Sequence, residues 1–320
     1  MSPDTQTTDK TAAPAQEEDK FSLEGIESKK RGSEYKVYEP PKTMRQLGEI
    51  IKLEFRQYFK SPKLIVLYAM AVLVPILQIC NVDVIGMFSG IVSIMNGGSA
   101  LTPLQYLHYC LILMPTVMVL AMAILCGKTI SQEYEGKTCF LNLPLPVSRW
   151  VFFTGKFIAI AVTCISVMLI GFGFAMIATN TKFGCIAPAS VFESLLIGIF
   201  TMLALISTGM FFSSICKKRG GLLSLVTIMF IIPLIPIAAS LIMNTPDMPS
   251  YLDIFLYTPP FSTDAMMIAL GWDPTMSLSG FAIGMLYNRA PSVIGSVLAS
   301  FLWAVALFAA GVVMFNRREV

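Results

Sequence analysis

Charge is what this sequence has least of. Asp, Glu, Lys and Arg make up 13% of its 320 residues, against 55% hydrophobic ones, about half the charged share of a soluble domain. With a mean hydropathy of +0.70, a water-soluble fold could not hide so much apolar surface, so the class is an integral membrane protein. Histidine is almost missing as well. His108 stands alone in the sequence, which excludes a multi-histidine metal site. The seven cysteines (80, 110, 126, 139, 164, 185 and 216) contain no C-x-x-C pair, and several lie inside apolar runs. They read as small packing residues, with no metal site expected. A disulfide among Cys80, Cys110 and Cys185, all near the expected outer face, is the alternative for those three.

Other absences remove whole classes of activity. Gly127-Lys128-Thr129 and Gly136-Lys137-Thr138 look like the ends of phosphate-binding loops, but such a loop needs a glycine five residues before the Gly-Lys pair. Those positions hold Met122 and Ser131, so no nucleotide binds this chain through such a loop. There is no Ser-His, paired-Asp or H-E-x-x-H set for an intramembrane protease. The apolar segments hold almost no interior acids or bases. Asp83 and Glu193 fall at expected outer ends and Lys156 at an inner one, where it is expected to snorkel as an interfacial anchor. A proton-coupled carrier or ion pump needs coupling charges in its spans, so energy for any transport must come from elsewhere. No internal repeat is visible, which weakens a carrier built from inverted halves. The polar first 60 residues, closing on a basic stretch, carry no expected secretory signal peptide.

What is present is a sequence of apolar segments, and the expected fold class is an all-α polytopic membrane protein. Residues 1–42 are rich in Asp, Glu, Lys, Thr and Pro and read as a disordered cytoplasmic tail. In residues 43–62, Met44, Leu47, Ile50, Ile51, Phe55, Tyr58 and Phe59 recur at helical spacing among Arg45, Glu49, Lys52, Arg56 and Lys60. Too short and too charged to span, this stretch reads as an amphipathic helix lying in the membrane interface, with Thr43 able to cap it and Ser61-Pro62 ending it. A soluble helix packed on a partner is the alternative.

Residues 63–320 read as a six-span domain. The spans are Leu64 to about Ile79, Tyr106–Cys126, Val151–Ala178, Ser194–Cys216, Leu222–Met243 and Pro291–Phe315, each near the roughly 20 residues that cross a hydrocarbon core. Internal prolines 75, 115, 233 and 236 mark expected kinks. Within the last outer loop, Phe261–Leu270 is too short to span and reads as re-entrant or interfacial. Six spans would put 21 of the 23 Lys and Arg on one side, leaving Lys182 and Arg289 on the other. The positive-inside rule makes the richer side, with both termini, cytoplasmic.

The longest polar interruption among the central spans is Lys128–Lys156. Lys128 to about Leu143 can be helical, with Glu133 and Lys137 on one face, while Glu135 and Gly136 lie between them. Pro144 and Pro146 stop the helix, and Ser148 can cap a second one running into the third span, with Arg149 at its start. An ordinary solvated loop is the competing reading.

Two stretches resemble the membrane-spanning permeases of ATP-binding-cassette transporters of the type-2 exporter class. One is Ile50-Ile51-Lys52-Leu53-Glu54-Phe55-Arg56 through Phe59-Lys60-Ser61-Pro62, similar to the family's helix before its first span. The other is Ile130–Lys156, whose Glu133, Glu135, Gly136, Lys137-Thr138, Leu143-Pro144, Val147-Ser148-Arg149 and Gly155-Lys156 resemble the family's glutamate-containing loop. Thr138-Cys139-Phe140 departs from the Thr-Leu-Glu-like run common there. The resemblance implies a permease subunit with no catalytic or cofactor site of its own. A separate cytoplasmic ATPase would dock on the interfacial helix (Glu54, Phe55, Arg56, Phe59) and on a coupling set of Glu133, Glu135, Gly136, Lys137, Pro144, Ser148 and Arg149. It also implies a second permease subunit and the lipid of the cell membrane as partners, and no nucleic acid. Uncharged spans suit a hydrophobic or amphipathic cargo. A membrane component of a signalling or envelope complex, or a secondary carrier, are the other classes in view.

Overall fold

The computed structural model describes residues 43–80, 102–127, 129–130, 148–184, 188–216, 220–232, 257–270 and 292–317. Every regular element among them is helical. Five helical stretches are long and apolar enough to cross a membrane, and the chain is an all-α, multi-pass membrane protein. The expected tail 1–42 lies outside the described residues, as does the second half (233–243) of the expected span Leu222–Met243. Of that span, the structure describes α7 (Gly220–Val226) and the π-helical turn Thr227–Ile231 that continues it.

Local chemistry sets most helix ends. Helix α1 (Thr43–Lys60) stops before Ser61. Ser61 has extended backbone at the N-cap of α2 (Pro62–Ile79), and Pro62 occupies the first turn, where its missing N–H costs no hydrogen bond. Pro75 is carried within this helix without ending it. The second span, Pro103–Cys126, opens with a capping box. Thr102 Oγ1 accepts from Gln105 N at 3.3 Å, and Gln105 Oε1 accepts from Thr102 N at 3.0 Å. Pro115 then splits the span into α3 (Pro103–Cys110) and α4 (Met114–Ala121). Proline offers no N–H to the Leu111 carbonyl and its ring crowds that group, so the chain turns through 111–113 with Met114 N donating to Leu111 O instead. A π-helical turn, Met122–Cys126, ends the span.

The third span, α5 (Arg149–Phe183), has 35 residues, or about 52 Å at 1.5 Å per residue, well beyond a hydrocarbon core of about 30 Å. It closes at Gly184, whose φ of +68° is the left-handed cap that a side chain would strain, with its N–H donating to Asn180 O. Helix α6 (Pro188–Ile215) packs along α9 (Val293–Arg317), while α5 packs along both α2 and α1. The α6–α9 contact is held partly by hydroxyls: Trp303 Nε1 donates to Thr208 Oγ1 at 3.2 Å.

Between α6 and α9 sits α8 (Pro259–Ile268), the short stretch expected to be re-entrant or interfacial. Ser194 Oγ donates to Met266 O at 2.7 Å, and Ser262 and Ser300 meet at 3.2 Å. These hydrogen bonds tie α8 to both α6 and α9. Helices α2 and α9 lie at the periphery. Their outer faces expose Ile65, Val66, Leu73, Ile294, Leu298 and Leu302, the apolar surface that lipid would cover.

Candidate functional site

Helix α1 packs against the start of α5 beside the end of the second span, and a buried ion pair lies at that junction. Helix α1 has two apolar faces. Leu47 and Ile50 pack against Gly155 of α5, where an added methyl group would lie 2.8 Å from Ile50 Cγ2 and 3.6 Å from Leu47 Cδ1. Glycine leaves room there for the Ile50 and Leu47 side chains against α5. On the same face, one turn further along, Glu54 forms an ion pair with Lys156 at 2.5 Å, each side chain no more than 4% exposed. Lys156 also stands over the Phe152 ring, 4.9 Å from its centroid. Tyr58 packs beside Glu54 and Thr129, and burial, with the Glu54 carboxylate next to it, pushes its phenol well above its ordinary pKa.

Two expectations change here. Lys156 does not snorkel to water as an interfacial anchor. It is buried and neutralised by a carboxylate 102 residues away, because α5 begins well before the membrane core and carries Lys156 under α1. Glu54 is buried and committed to that pair, so it offers no free contact to another subunit. Of the other named residues on α1, Phe59 and Arg56 are exposed and Phe55 is half-buried, with the two aromatic rings 6.3 Å apart. Met44, Phe55 and Phe59 form the second apolar face, at spacings that place them on one side of the helix.

That second face gives a direct prediction. A nitroxide on α1 replacing Phe59 should report lipid accessibility, because this face is apolar and both Met44 and Phe59 are exposed among the described residues. In a Phe55→Asp background the same label should shift toward water. Helix α1 should nonetheless remain docked on α5, since Glu54 and Lys156 are untouched. Water accessibility at position 59 in the unmodified helix would rule out an interfacial location.

Of the expected coupling set, Glu133, Glu135, Gly136, Lys137 and Pro144 lie outside the described residues. The chain's departure into that segment and its return from it are described. At the departure, Thr129 donates through its hydroxyl to Leu125 O and through its N–H to Cys126 O, and Ile130 N donates to Ser213 Oγ on α6 at 3.1 Å. At the return, Ser148 holds the N-cap position of α5 with extended backbone, but its side chain makes no capping bond, contrary to the expectation. Arg149 Nη1 donates to Asn316 O near the end of α9, at 3.1 Å. The segment is therefore held at one end on α6 and at the other on α9.

Sequence reasoning did not find the Glu54–Lys156 pair as a unit, although both residues were noted separately. A lone lysine in the first two turns of a long apolar helix, next to a glycine, was the available signal. Among the described residues no group of three His, Cys, Asp or Glu is placed to hold a metal ion. Residues 49–320 match the family model described as ABC-2 family transporter protein. No curated protein matches the chain.

Proposed function

The chain belongs to the ABC-2 family of transporter proteins, and from that premise we propose that it is the permease half of an export system whose energy comes from a separate cytoplasmic ATPase. Its membrane-spanning helices and its family make it a permease component of an ATP-binding-cassette transporter. The further reading is that ATP is hydrolysed in a partner subunit, that two permeases together form the path, and that the cargo is hydrophobic or amphipathic. Among the described residues, the interiors of the spans hold no Asp, Glu or Arg, which supports an uncharged route.

The observation that carries the coupling reading is the anchoring just described. Hydrolysis in one subunit can move helices in another only through a connection that does not dissipate displacement. The segment after Ile130 is fixed to α6, its return is fixed to α9, and α1 is fixed to α5 by a buried ion pair. A partner pressing on α1 and on the 128–149 segment would therefore act on three spans at once. In this reading Glu133, Glu135 and Lys137 present charge to the ATPase, Gly136 allows close approach, and Pro144 stops the segment's helix. Residues 1–42 form a cytoplasmic tail, 43–62 an interfacial helix and 63–320 a six-span domain.

The test is purification of the full-length protein, affinity-tagged, from its native cell membranes. A cassette ATPase should co-purify in about stoichiometric amount, and the complex should hydrolyse ATP only when that subunit is retained. A complex with no ATPase, from membranes in which the protein is functional, would end the reading. The orientation is tested separately. A cysteine introduced at Lys218 should resist impermeant reagents on intact cells, and one at Pro249 should react, because basic residues crowd the first side and not the second. Labelling of position 218 from outside would reverse the topology.

A further inference from the structure

Helix α1 carries a row of charge that neither the Glu54–Lys156 pair nor the packing on α5 uses. Arg45, Glu49, Lys52, Arg56 and Lys60 are all exposed. None of the four cations pairs with a described carboxylate, and four cations less Glu49 leave the row a net charge of +3. At about 100° per residue, Arg45, Lys52 and Arg56 fall within about 40° of one another around the helix, and Glu49 and Lys60 complete one stripe. Leu47, Ile50 and Glu54, which meet α5, lie on the opposite side of the helix. Met44, Phe55 and Phe59 fill the sector between, directly beside the stripe. Gln46 and Gln57 stand opposite those apolar residues. Leu53, exposed on the polar side, departs from this order.

With its apolar sector in the acyl chains, α1 has α5 on one flank, the two glutamines toward water, and the basic stripe on the other flank at the level of the headgroups. Lys and Arg stems reach headgroup phosphates from such a flank while their carbons stay in apolar surroundings. The same end of the bundle presents Lys63 at the start of α2, Trp150 at the start of α5 and Arg317 at the end of α9, all exposed. Exposed tryptophan is enriched at membrane–water interfaces. Four cations against one carboxylate are complementary to a negatively charged leaflet and not to a zwitterionic one.

We propose that Arg45, Lys52, Arg56 and Lys60 bind the headgroups of anionic phospholipids, so that α1 reads the charge of its leaflet as well as its apolar depth. This rests on the interfacial location of α1 and adds the chemical class of lipid that it selects. Each cation held near an anionic surface contributes roughly fivefold to the preference, and Glu49 offsets part of it. Because α1 is fixed to α5 by a buried ion pair, the charge of the leaflet bears on the third span through it.

The experiment reconstitutes the purified full-length protein into bilayers of phosphatidylcholine with a minority of phosphatidylglycerol, extracts it in mild detergent, and counts the lipids retained per chain by mass spectrometry. Phosphatidylglycerol should be enriched over its share of the bilayer at least about fivefold. Extraction in about 1 M salt, where charges are screened within about 3 Å, should erase the enrichment. Changing Arg45, Lys52, Arg56 and Lys60 together to glutamine should abolish it and leave phosphatidylcholine retention unchanged. Glu49→Gln should raise it, a gain that a poorly folded protein would not give, so this variant decides if the quadruple one fails to assemble. No enrichment in the unmodified protein, enrichment unchanged in the quadruple variant, or enrichment not raised by Glu49→Gln would each overturn the proposal. A nitroxide at position 59 in pure phosphatidylcholine separates it from the reading beneath it. Lipid accessibility there without phosphatidylglycerol enrichment ends this proposal and leaves the interfacial location standing, whereas water accessibility ends both. Loss of a co-purifying ATPase from the quadruple variant, with enrichment intact, would assign the stripe to a protein partner instead.

Discussion

Glu54→Ala and Lys156→Ala should each destabilise the protein by about 3–5 kcal/mol, the cost of leaving one charge buried without its partner. Both side chains are almost fully enclosed, at 4% exposure or less, so neither survivor can turn to water without α1 leaving α5. The expected signs are a fall in the thermal unfolding midpoint in detergent and early proteolysis between α1 and α2. A double apolar replacement, Glu54→Leu with Lys156→Met, should recover much of the lost stability, because the penalty belongs to the unpaired charge and not to the absence of the pair. The charge swap Glu54→Lys with Lys156→Glu should recover less, since the Phe152 ring favours a cation at position 156 and not a carboxylate. An unfolding midpoint unchanged in both single variants would mean that α1 is not held to α5 by this pair.

Glu133→Gln combined with Glu135→Gln should leave the permease folded and inserted but remove ATP-driven transport and substrate-stimulated hydrolysis. The motive is placement. The two carboxylates belong to a polar segment whose departure is tied to α6 through Ile130 and whose return is tied to α9 through Arg149. Breaking a partly buried interface charge pair costs about 2–5 kcal/mol, which lowers affinity by roughly 30-fold to several thousand-fold. The spans bury neither residue's partner in this reading, so the unfolding midpoint should stay near that of the unmodified protein, in contrast to Glu54→Ala. Arg149→Ala should reduce coupling less, because its hydrogen bond to Asn316 O is one partly exposed contact among many between α5 and α9. A double glutamine variant that binds the ATPase and transports normally would make the segment an ordinary loop.

How much of this was legible in the sequence follows from the range of each interaction. Span positions depend on about 20 consecutive apolar residues, a local property, and the structure keeps all five fully described spans close to expectation. The junction at Ser61-Pro62 and the break before Pro115 are equally local, since proline acts on its own turn and the one before. The apolar character of α1 was also readable, because helical periodicity survives in sequence.

What the sequence left open was which face meets which partner. Leu47 and Ile50 looked like Met44 and Phe59, yet only the first two meet α5, and that choice was made by Gly155 opening a notch about a hundred residues later in the chain. Lys156 looked like a snorkelling lysine until tertiary packing carried it beneath Glu54. Helix type and membrane location are set by each segment against its solvent. Burial of Glu54 and close approach at Gly155 are set by pairs of segments, and a charge enters an apolar interior only where folding brings an opposite charge to meet it.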